Sequence, residues 1–154
     1  MRNDHLRSAM GCYVTGVTVV TTTNGHISIG VTANSFSSVS LEPPLVLWSL
    51  SKSSKKHSIM TTNKNFGVNI LSKHQKHLAL TFSKEKEPFS GVNYYLTKAG
   101  VPIIKNSVAT FECQLHAVYD GGDHSIILGL VTSFNKSSLE PLQFFRGNFA
   151  WKNL

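Results

Sequence analysis

Apolar and polar residues alternate along much of this chain in short runs rich in β-branched side chains, a pattern typical of β-strands. The first two runs cover residues 17–23 and 27–31, and Asn24-Gly25 stands between them. An Asn-Gly pair between two such runs is the strongest short-range signal of a β-hairpin. The pattern therefore predicts a hairpin near the beginning of the chain.

Further runs of the same kind predict a protein made mainly of strands. The predicted strands cover residues 45–50, 66–71, 94–97, 108–119, 125–134 and 142–145, with a tight turn at 121–123 between the two longest. Many strands with short helices at the crossovers favour a barrel or a sandwich over a doubly wound sheet. We expect one domain over residues 1–154.

Three short helices are predicted among the strands. In the first, Asp4 is the N-cap, Gly16 is the end, and the apolar side chains of one face are expected to pack on the strands. That face consists of Leu6, Ala9, Met10 and Tyr13. The other two helices are predicted at residues 53–61 and 75–82, and the charged, proline-containing stretch 83–91 is predicted to be a surface loop.

Composition narrows the class of protein. The chain has 154 residues, 41% of them hydrophobic, which is typical of a globular protein, and it has no apolar run of the roughly 20 residues that cross a membrane. The N-terminus lacks the apolar core of a secretory signal, so a cytoplasmic location is expected. The net charge of +7 suits nucleic acid as a partner, but it suits phosphorylated small molecules equally well.

The cysteines and histidines give little sign of a metal site. Cys12 and Cys113 are far apart in apolar-rich stretches and are predicted to be reduced core thiols. His74 and His77 share a predicted helix face, but no third ligand accompanies them. We therefore predict no bound metal.

The chain also lacks three motifs of other enzyme classes. Without a G-x-S-x-G elbow, acyl-transfer hydrolysis is not expected. Without a Walker loop or a G-x-G-x-x-G fingerprint, a Rossmann nucleotide site is not expected.

Two polar segments are the candidates for ligand binding. Residues 30–45 place small hydroxyl and amide side chains between two apolar runs, which predicts a polar loop at the mouth of a sheet. Residues 51–57, S-K-S-S-K-K-H, offer hydroxyls, ammonium groups and the predicted start of a helix, a combination that favours a phosphate. By turn chemistry alone, a turn that satisfies its own backbone is the better explanation of residues 32–38. A solvated basic helix start explains residues 51–57 as well as a phosphate site does.

The order of several motifs resembles the flavin reductase family. The motifs are T-A-N-S-F-S-S-V-S-L-E-P-P-L at 32–45, Ser-Ser-Lys at 53–55, F-G-V-N-I-L at 66–71, F-S-G-V at 89–92, G-G-D-H-S-I at 121–126 and F-F-R-G at 144–147. They span nearly the whole chain. This sequence departs from the family pattern at Glu42, at Lys56, where a hydroxyl residue is common, and at Phe144-Phe145.

The resemblance implies an FMN-binding split β-barrel of Greek-key type that transfers hydride from NADH or NADPH to FMN, with FAD possible as the flavin. It implies a homodimer with flavin sites near the subunit interface, and a transient monooxygenase partner that receives reduced flavin. Neither nucleic acid nor a membrane is an expected partner. The alternative within the same fold is a flavin-binding electron carrier or sensor that does not turn over with NAD(P)H.

The resemblance also implies the residues of the site. The flavin-binding residues are Thr32, Ala33, Asn34, Ser35, Ser37, Ser38, Ser53, Ser54, Lys55, Phe82 and Arg146. His124 is expected to face the nicotinamide side of the flavin as the catalytic residue, with its ring fixed by Asp123. Arg146 is expected to contact the dinucleotide phosphates or to stabilise the dimer.

Overall fold

The structure, a computed structural model, describes residues 2–84 and 89–150, and it is built mainly from strands. The helices are α1 (Arg2–Met10), α2 (His57–Thr62) and α3 (Lys76–Phe82), the last preceded by a 3-10 turn at Lys73–Gln75. The strands are β1 (Thr15–Gly16), β2 (Thr18–Asn24), β3 (Ile27–Ala33), β4 (Ser37–Leu41), β5 (Pro44–Ser51), β6 (Asn65–Ile70), β7 (Tyr94–Leu96), β8 (Pro102–Ile104), β9 (Ala109–Gly121), β10 (His124–Lys136), β11 (Gln143–Phe145) and β12 (Asn148–Ala150).

Seven of these strands form one antiparallel sheet in the order β3-β2-β6-β9-β10-β5-β4. Ala33 near one edge shares a buried core with Val46 and Trp48 near the other. The Ser35 hydroxyl also accepts a hydrogen bond from the backbone N–H of Ser49 on β5, 2.9 Å away. The sheet therefore curls into a barrel that is split beside β3, which confirms the predicted fold class.

A second core seats α3 against the outside of the barrel. Leu78, Ala79 and Phe82 are buried there together with residues of β2 and β11 and their flanking segments. Gly30 on β3 makes this packing possible, because a Cβ atom at that position would lie 2.6 Å from Cδ1 of Phe82. The small sheet β1-β11-β12 lies next to the same core, since Phe144 and Phe149 pack on it.

The long strands and α3 agree closely with the predicted elements, and the first hairpin is shifted by one residue. Asn24 pairs with Ile27, so the two residues of the turn are Gly25 and His26. Gly25 has φ +61, the value that a two-residue turn with glycine first requires. The predicted turn at 121–123 is also present, with Gly122 at φ +77.

The prediction of a loop over residues 30–45 is wrong for much of that segment. Residues 37–41 form β4, which pairs with β5 at the edge of the sheet, and Pro44 is the first residue of β5. Proline is tolerated there because the first residue of a strand need not donate to the ladder. Four short strands were also not predicted: β1, β4, β8 and β12.

The helix predictions at 1–16 and 53–61 need correction as well. The first helix ends at Met10, Gly16 belongs to β1, and the apolar side chains Leu6, Met10 and Tyr13 are exposed on the described chain instead of packing on the barrel. The second helix begins only at His57, and residues 53–56 are turns. Part of the predicted surface loop, residues 85–88, lies outside the described residues. None of the described helices has the length and apolar character needed to cross a membrane.

Candidate functional site

A small cationic cavity lies between the Ser-Ser-Lys segment, β3 and the end of α3. We call it the phosphate pocket; its volume is about 150 Å³, and its lining includes Thr32, Ser54, Lys55, Lys56 and Lys84. Three lysines from two separate segments meet there. A pocket of this composition suits a phosphate, because ammonium groups supply the charge and a hydroxyl supplies directed hydrogen bonding.

Lys56 joins the two sides of the phosphate pocket. Its Nζ donates to the carbonyl oxygen of Gly30 on β3 at 3.0 Å and to that of Lys84 after α3 at 3.3 Å. The backbone N–H of Lys56 also donates to Oγ of Ser54, 3.2 Å away. The residue that departs from the family pattern therefore connects all three walls of the pocket.

A larger and more apolar cavity opens beside it. We call this cavity of about 310 Å³ the ring pocket; it is lined by Val17, Thr32, Asn34, Ala79, Leu80, Ser83, Phe144 and Phe149. Phe144 and Phe149 pack on each other with their ring centroids 5.3 Å apart. Apolar and aromatic walls with a few polar groups are typical of sites for flat organic ligands.

The two pockets have common walls, since Thr32 and Ser83 line both of them. A ligand with a flat aromatic system at one end and a phosphate at the other would therefore find an apolar wall and a cationic wall side by side. These residues fit the chemistry of FMN, whose ring system is aromatic and whose tail ends in a phosphate.

The side chains of residues 32–35, all predicted to bind flavin, differ from one another in their contacts. Oγ1 of Thr32 donates to the carbonyl oxygen of Ala79 on α3 at 2.7 Å, and Oγ of Ser35 bonds the backbone of Ser49. Ala33 packs into the barrel core, and Asn34 is exposed at the ring pocket. Thr32 and Ser35 thus hold the pocket walls in place, and Asn34 is the side chain best placed to contact a ligand.

The remaining flavin-binding predictions divide into two groups. Ser54, Lys55 and Phe82 line the phosphate pocket. The other four do not line either pocket in the described chain: Ser37 and Ser38 lie exposed on β4, Ser53 is held by Ser51, and Arg146 lies beside α1. Arg146 has φ 48, and its guanidinium carbon lies 5.0 Å from the centroid of the Phe145 ring.

His124 begins β10 and does not line either pocket of its own chain. It pairs across the sheet with Ser51, at the edge of the phosphate segment. The predicted contact with Asp123 is present, since His124 Nδ1 and Asp123 Oδ1 are 2.8 Å apart. Hydrogen bonding to His124 lowers the pKa of the Asp123 carboxyl below its usual range.

Several pocket residues were not predicted from the sequence. Lys84, Ser83 and Leu80 come from the end of α3 and the residues after it, while Val17 and Phe149 come from the small sheet and its neighbour. Lys84, the basic residue after α3, could have indicated a phosphate site from the sequence alone. It lies in a stretch of mixed charge, however, which is also typical of a solvated loop.

The comparison with protein families establishes the family of the chain. Residues 10–152 match the model of the family described as "Flavin reductase like domain". The chain belongs to the flavin reductase family. The predicted family is therefore confirmed.

Individual flavin reductases resemble the chain over almost its full length. The FMN reductase (NADH) SmoA of Agrobacterium fabrum is 43% identical over 143 residues, which are 93% of this chain and 82% of that protein. The reductase subunit HsaB of a flavin-dependent monooxygenase of Mycobacterium tuberculosis is 37% identical, and the match covers 93% of this chain and 79% of HsaB.

A solved flavin reductase has the same fold. The structure of the NADH:FAD oxidoreductase SgcE6 of Streptomyces globisporus, in complex with NAD and FAD fragments, superposes with a TM-score of 0.92 at 38% identity. The match covers 96% of this chain and 91% of that one.

The two cysteines of this flavin reductase lie in contrasting environments. Cys113 is buried in the barrel core as predicted, whereas Cys12 is exposed, which corrects the prediction of a core thiol. Burial, and secondarily the charge of Glu112, raises the pKa of the Cys113 thiol to about 12. Among the described residues, no group of three His, Cys, Asp or Glu side chains is arranged to hold a metal ion.

Thiol labelling should therefore distinguish the two cysteines. The thiolate is the reactive form, so at pH 8 we expect one rapid reaction per chain with a chromogenic disulfide reagent, and a second only after unfolding in guanidinium. The Cys12→Ser variant should lose the rapid phase. A rapid phase that persists in that variant would show that Cys113 is exposed.

Proposed function

We propose that this chain is an NAD(P)H:flavin oxidoreductase that binds FMN with its ring system in the ring pocket and its phosphate in the phosphate pocket. The observation that carries this proposal is the junction of the two pockets at Thr32 and Ser83. The predicted activity is also the one that the names of SmoA and SgcE6 state for those proteins. When bound, the flavin accepts the hydride of the nicotinamide, and the protein need not supply an acid or a base.

The residues of this chain then have three tasks. Lys55, Lys56 and Lys84 hold the phosphate, while Thr32, Ser54 and Ser35 fix the positions of the pocket walls. The apolar side chains around Phe144 and Phe149 exclude water from one side of the ring system, and the open side of the pocket leaves room for a nicotinamide. Catalysis by such a site is mainly positioning, because two ligands held in contact react as one molecule.

We further propose that the protein is a homodimer formed through the outer face of β5 and β10. Alternate residues of these strands point into the core, including Val46, Trp48 and Ile127. The residues between them should be polar if they faced water, but they are apolar and half-buried: Leu45, Leu47, Ile126, Leu128 and Leu130. An apolar sheet face of this kind is typical of a subunit interface.

His124 lies on the same face. It alternates with Ile126 and Leu128 along β10, so its side chain leaves the sheet on the side of the proposed partner subunit. This position explains why His124 does not line a pocket of its own chain. We propose that it reaches the nicotinamide side of the flavin bound by the partner.

Replacing His124 tests this role. His124→Ala should raise the KM for NADH or slow the reduction of bound FMN by roughly two- to twelvefold, because one neutral hydrogen bond is lost, while FMN affinity stays within a few fold. Stopped-flow reduction over a range of NADH concentrations separates binding from chemistry. His116→Ala, an exposed histidine on β9, is the matched control. Wild-type kinetics in His124→Ala, or a collapse of FMN binding, would contradict the assignment.

The reduced flavin is proposed to pass to a monooxygenase, which is the assembly that the name of HsaB states for that protein. The alternative, a flavin carrier or sensor, has no observation that favours it over the reductase. One experiment separates the two. The purified protein with FMN should oxidise NADH, followed at 340 nm, with multiple turnovers per chain in air; binding of FMN without turnover would favour the carrier.

The remaining proposals concern organisation and location. We propose that residues 1–154 act as a single domain, because both cores and both pockets draw on segments from the two halves of the chain.

We also propose a cytoplasmic location. Thiols remain reduced in the cytoplasm, and the two cysteines form no disulfide with each other.

A further inference from the structure

A separate cavity of about 380 Å³ lies on the other side of α3 from the ring pocket. We call it the distal pocket; it is bounded by residues 72–78, by the loop 91–93 and by residues 104–106. His74 and His77, the histidine pair for which the flavin site has no use, both line it. The distal pocket therefore brings together side chains that neither the flavin nor the nicotinamide site employs.

The floor of the distal pocket is apolar and well packed. Leu78 and Ile104 are buried, and Val92 and Leu139 lie beside them in the lining. The backbone around Ile104 is held from two directions, since its N–H donates to Oδ1 of Asn69 at 2.8 Å and its carbonyl accepts from Oγ of Ser107 at 3.0 Å. Such a floor is preformed, so a ligand need not order it on binding.

Gln75 fixes the opposite wall. Its Oε1 accepts from the backbone N–H of Ser72 at 3.0 Å, and its Nε2 donates to the carbonyl oxygen of Lys105 at 2.8 Å. The N–H of Lys105 in turn donates to the carbonyl oxygen of Asn93 at 2.9 Å. One buried amide and one backbone bond thus tie all three bounding segments together.

The rim of the distal pocket carries one positive charge and several hydrogen-bonding groups. Lys105 is exposed there beside the imidazoles of His74 and His77, and the amides of Asn93 and Asn106 provide further donors. The carboxylate of Glu140 lies outside the lining and is paired with Lys73. No carboxylate occurs in the lining formed by residues 72–78, 91–93, 104–106 and Leu139. An apolar floor below a rim with a lysine, hydrogen-bond donors and no carboxylate is complementary to a small organic anion with an apolar body.

We propose that the distal pocket is an effector site for a small organic anion, such as an aromatic carboxylate. The link to the flavin is α3: Leu78 forms the floor of the distal pocket, whereas Ala79 and Leu80 form a wall of the ring pocket. The carbonyl oxygen of Ala79 also accepts the hydrogen bond of Thr32. A ligand against Leu78 therefore acts on the helix that completes the ring pocket.

The binding arm of the test uses benzoate as the probe, with benzamide as its neutral counterpart of similar shape. Amide chemical-shift titration of the flavin-free protein should show saturable shifts at residues 77–78, 92–93 and 105 with benzoate. Benzamide should bind at least about tenfold more weakly, because it lacks the charge-assisted contact. Equal binding of both probes, no saturation, or shifts confined to the flavin pockets would overturn the site.

Two lysine variants test whether Lys105 contacts the carboxylate of benzoate. Lys105→Met should weaken benzoate about tenfold or more without changing FMN affinity, whereas Lys98→Met, at an exposed lysine outside the lining, should leave both affinities unchanged. Equal benzoate affinity in Lys105→Met and the wild type would refute the proposed anion contact.

The coupling arm rests on the flavin site proposed above. FMN affinity, measured by fluorescence quenching, should change at least threefold at saturating benzoate, and benzoate affinity should change by the same factor at saturating FMN. An unchanged FMN affinity would overturn the effector role. Because benzoate binding is measured without flavin, failure of the flavin site and failure of the distal pocket are distinguishable.

Discussion

Lys55→Ala is expected to weaken FMN about ten- to hundredfold and riboflavin by less than about twofold. Only FMN carries the phosphate, and loss of one charge-assisted contact costs about 1.5 to 3 kcal/mol. Lys55 lines the phosphate pocket together with Lys56 and Lys84. Titration by quenching of flavin fluorescence measures both affinities, and raising the salt concentration should weaken FMN binding less in the variant than in the wild type.

The control for this prediction is Lys98→Ala, which removes the same charge from an exposed position outside the pocket. It should leave FMN affinity within about twofold of the wild type, because exposed charges more than a Debye length apart are largely screened. If Lys55→Ala weakens FMN and riboflavin equally, the phosphate is bound elsewhere.

Leu128→Asp is expected to convert the protein into monomers and to lower flavin reductase activity by roughly two- to twelvefold, the same loss as in His124→Ala. In the proposed dimer, the symmetry brings two carboxylates into one apolar interface, which costs at least about 4 kcal/mol and raises the dissociation constant about a thousandfold or more. Dissociation of the dimer lowers the activity because His124 lies on the same face and no longer reaches the flavin bound by the partner subunit. Analytical ultracentrifugation and NADH oxidation, both at about micromolar protein concentration, measure the two effects.

Ile27→Asp is the matched control, because Ile27 is an exposed apolar residue at the tip of the first hairpin and lies away from the outer face of β5 and β10. It should remain dimeric and active. A Leu128→Asp protein that is folded by circular dichroism and still dimeric would refute the proposed interface. A folded monomer with full activity would refute the role of the partner in the site.

The long strands were predictable because apolar residues recur in them over many positions. In β9 the apolar residues alternate from Phe111 to Ala117, and in β10 a nearly continuous apolar run extends from Ile126 to Val131. Strand β4 was missed for the opposite reason. It is an exposed edge strand, and its serines are also the residues that turns prefer, so pairing with β5 decides its structure.

The first helix shows that an apolar helix face can be predicted without its packing partner. Its apolar face was recognised from the sequence, but in the described chain Leu6, Met10 and Tyr13 remain exposed. The second helix was placed too early because Ser53 and Ser54 are strong N-cap residues. In the structure these residues form the turns that bring Lys55 and Lys56 to the phosphate pocket.

The phosphate side of the candidate site was predicted more completely than the ring side. Ser54 and Lys55 belong to a contiguous motif, which a sequence displays directly. The ring pocket is assembled from β3, α3, β11 and β12, and only the packing of α3 on the barrel brings Leu80 and Phe149 together. Lys56 was one of the ammonium groups of the predicted segment but not one of its named ligands, whereas the structure places it at the junction of three segments.

The most direct test of the central claim is a single-turnover reaction without oxygen. The protein carrying one equivalent of FMN is mixed with NADH in a stopped-flow instrument, and the flavin absorbance near 450 nm is followed. We predict complete bleaching by one equivalent of NADH, and slower bleaching with NADH deuterated at C4, because hydride transfer is the step that the site promotes. Bound FMN that is not bleached by either NADH or NADPH would contradict the assignment of this chain as a flavin reductase.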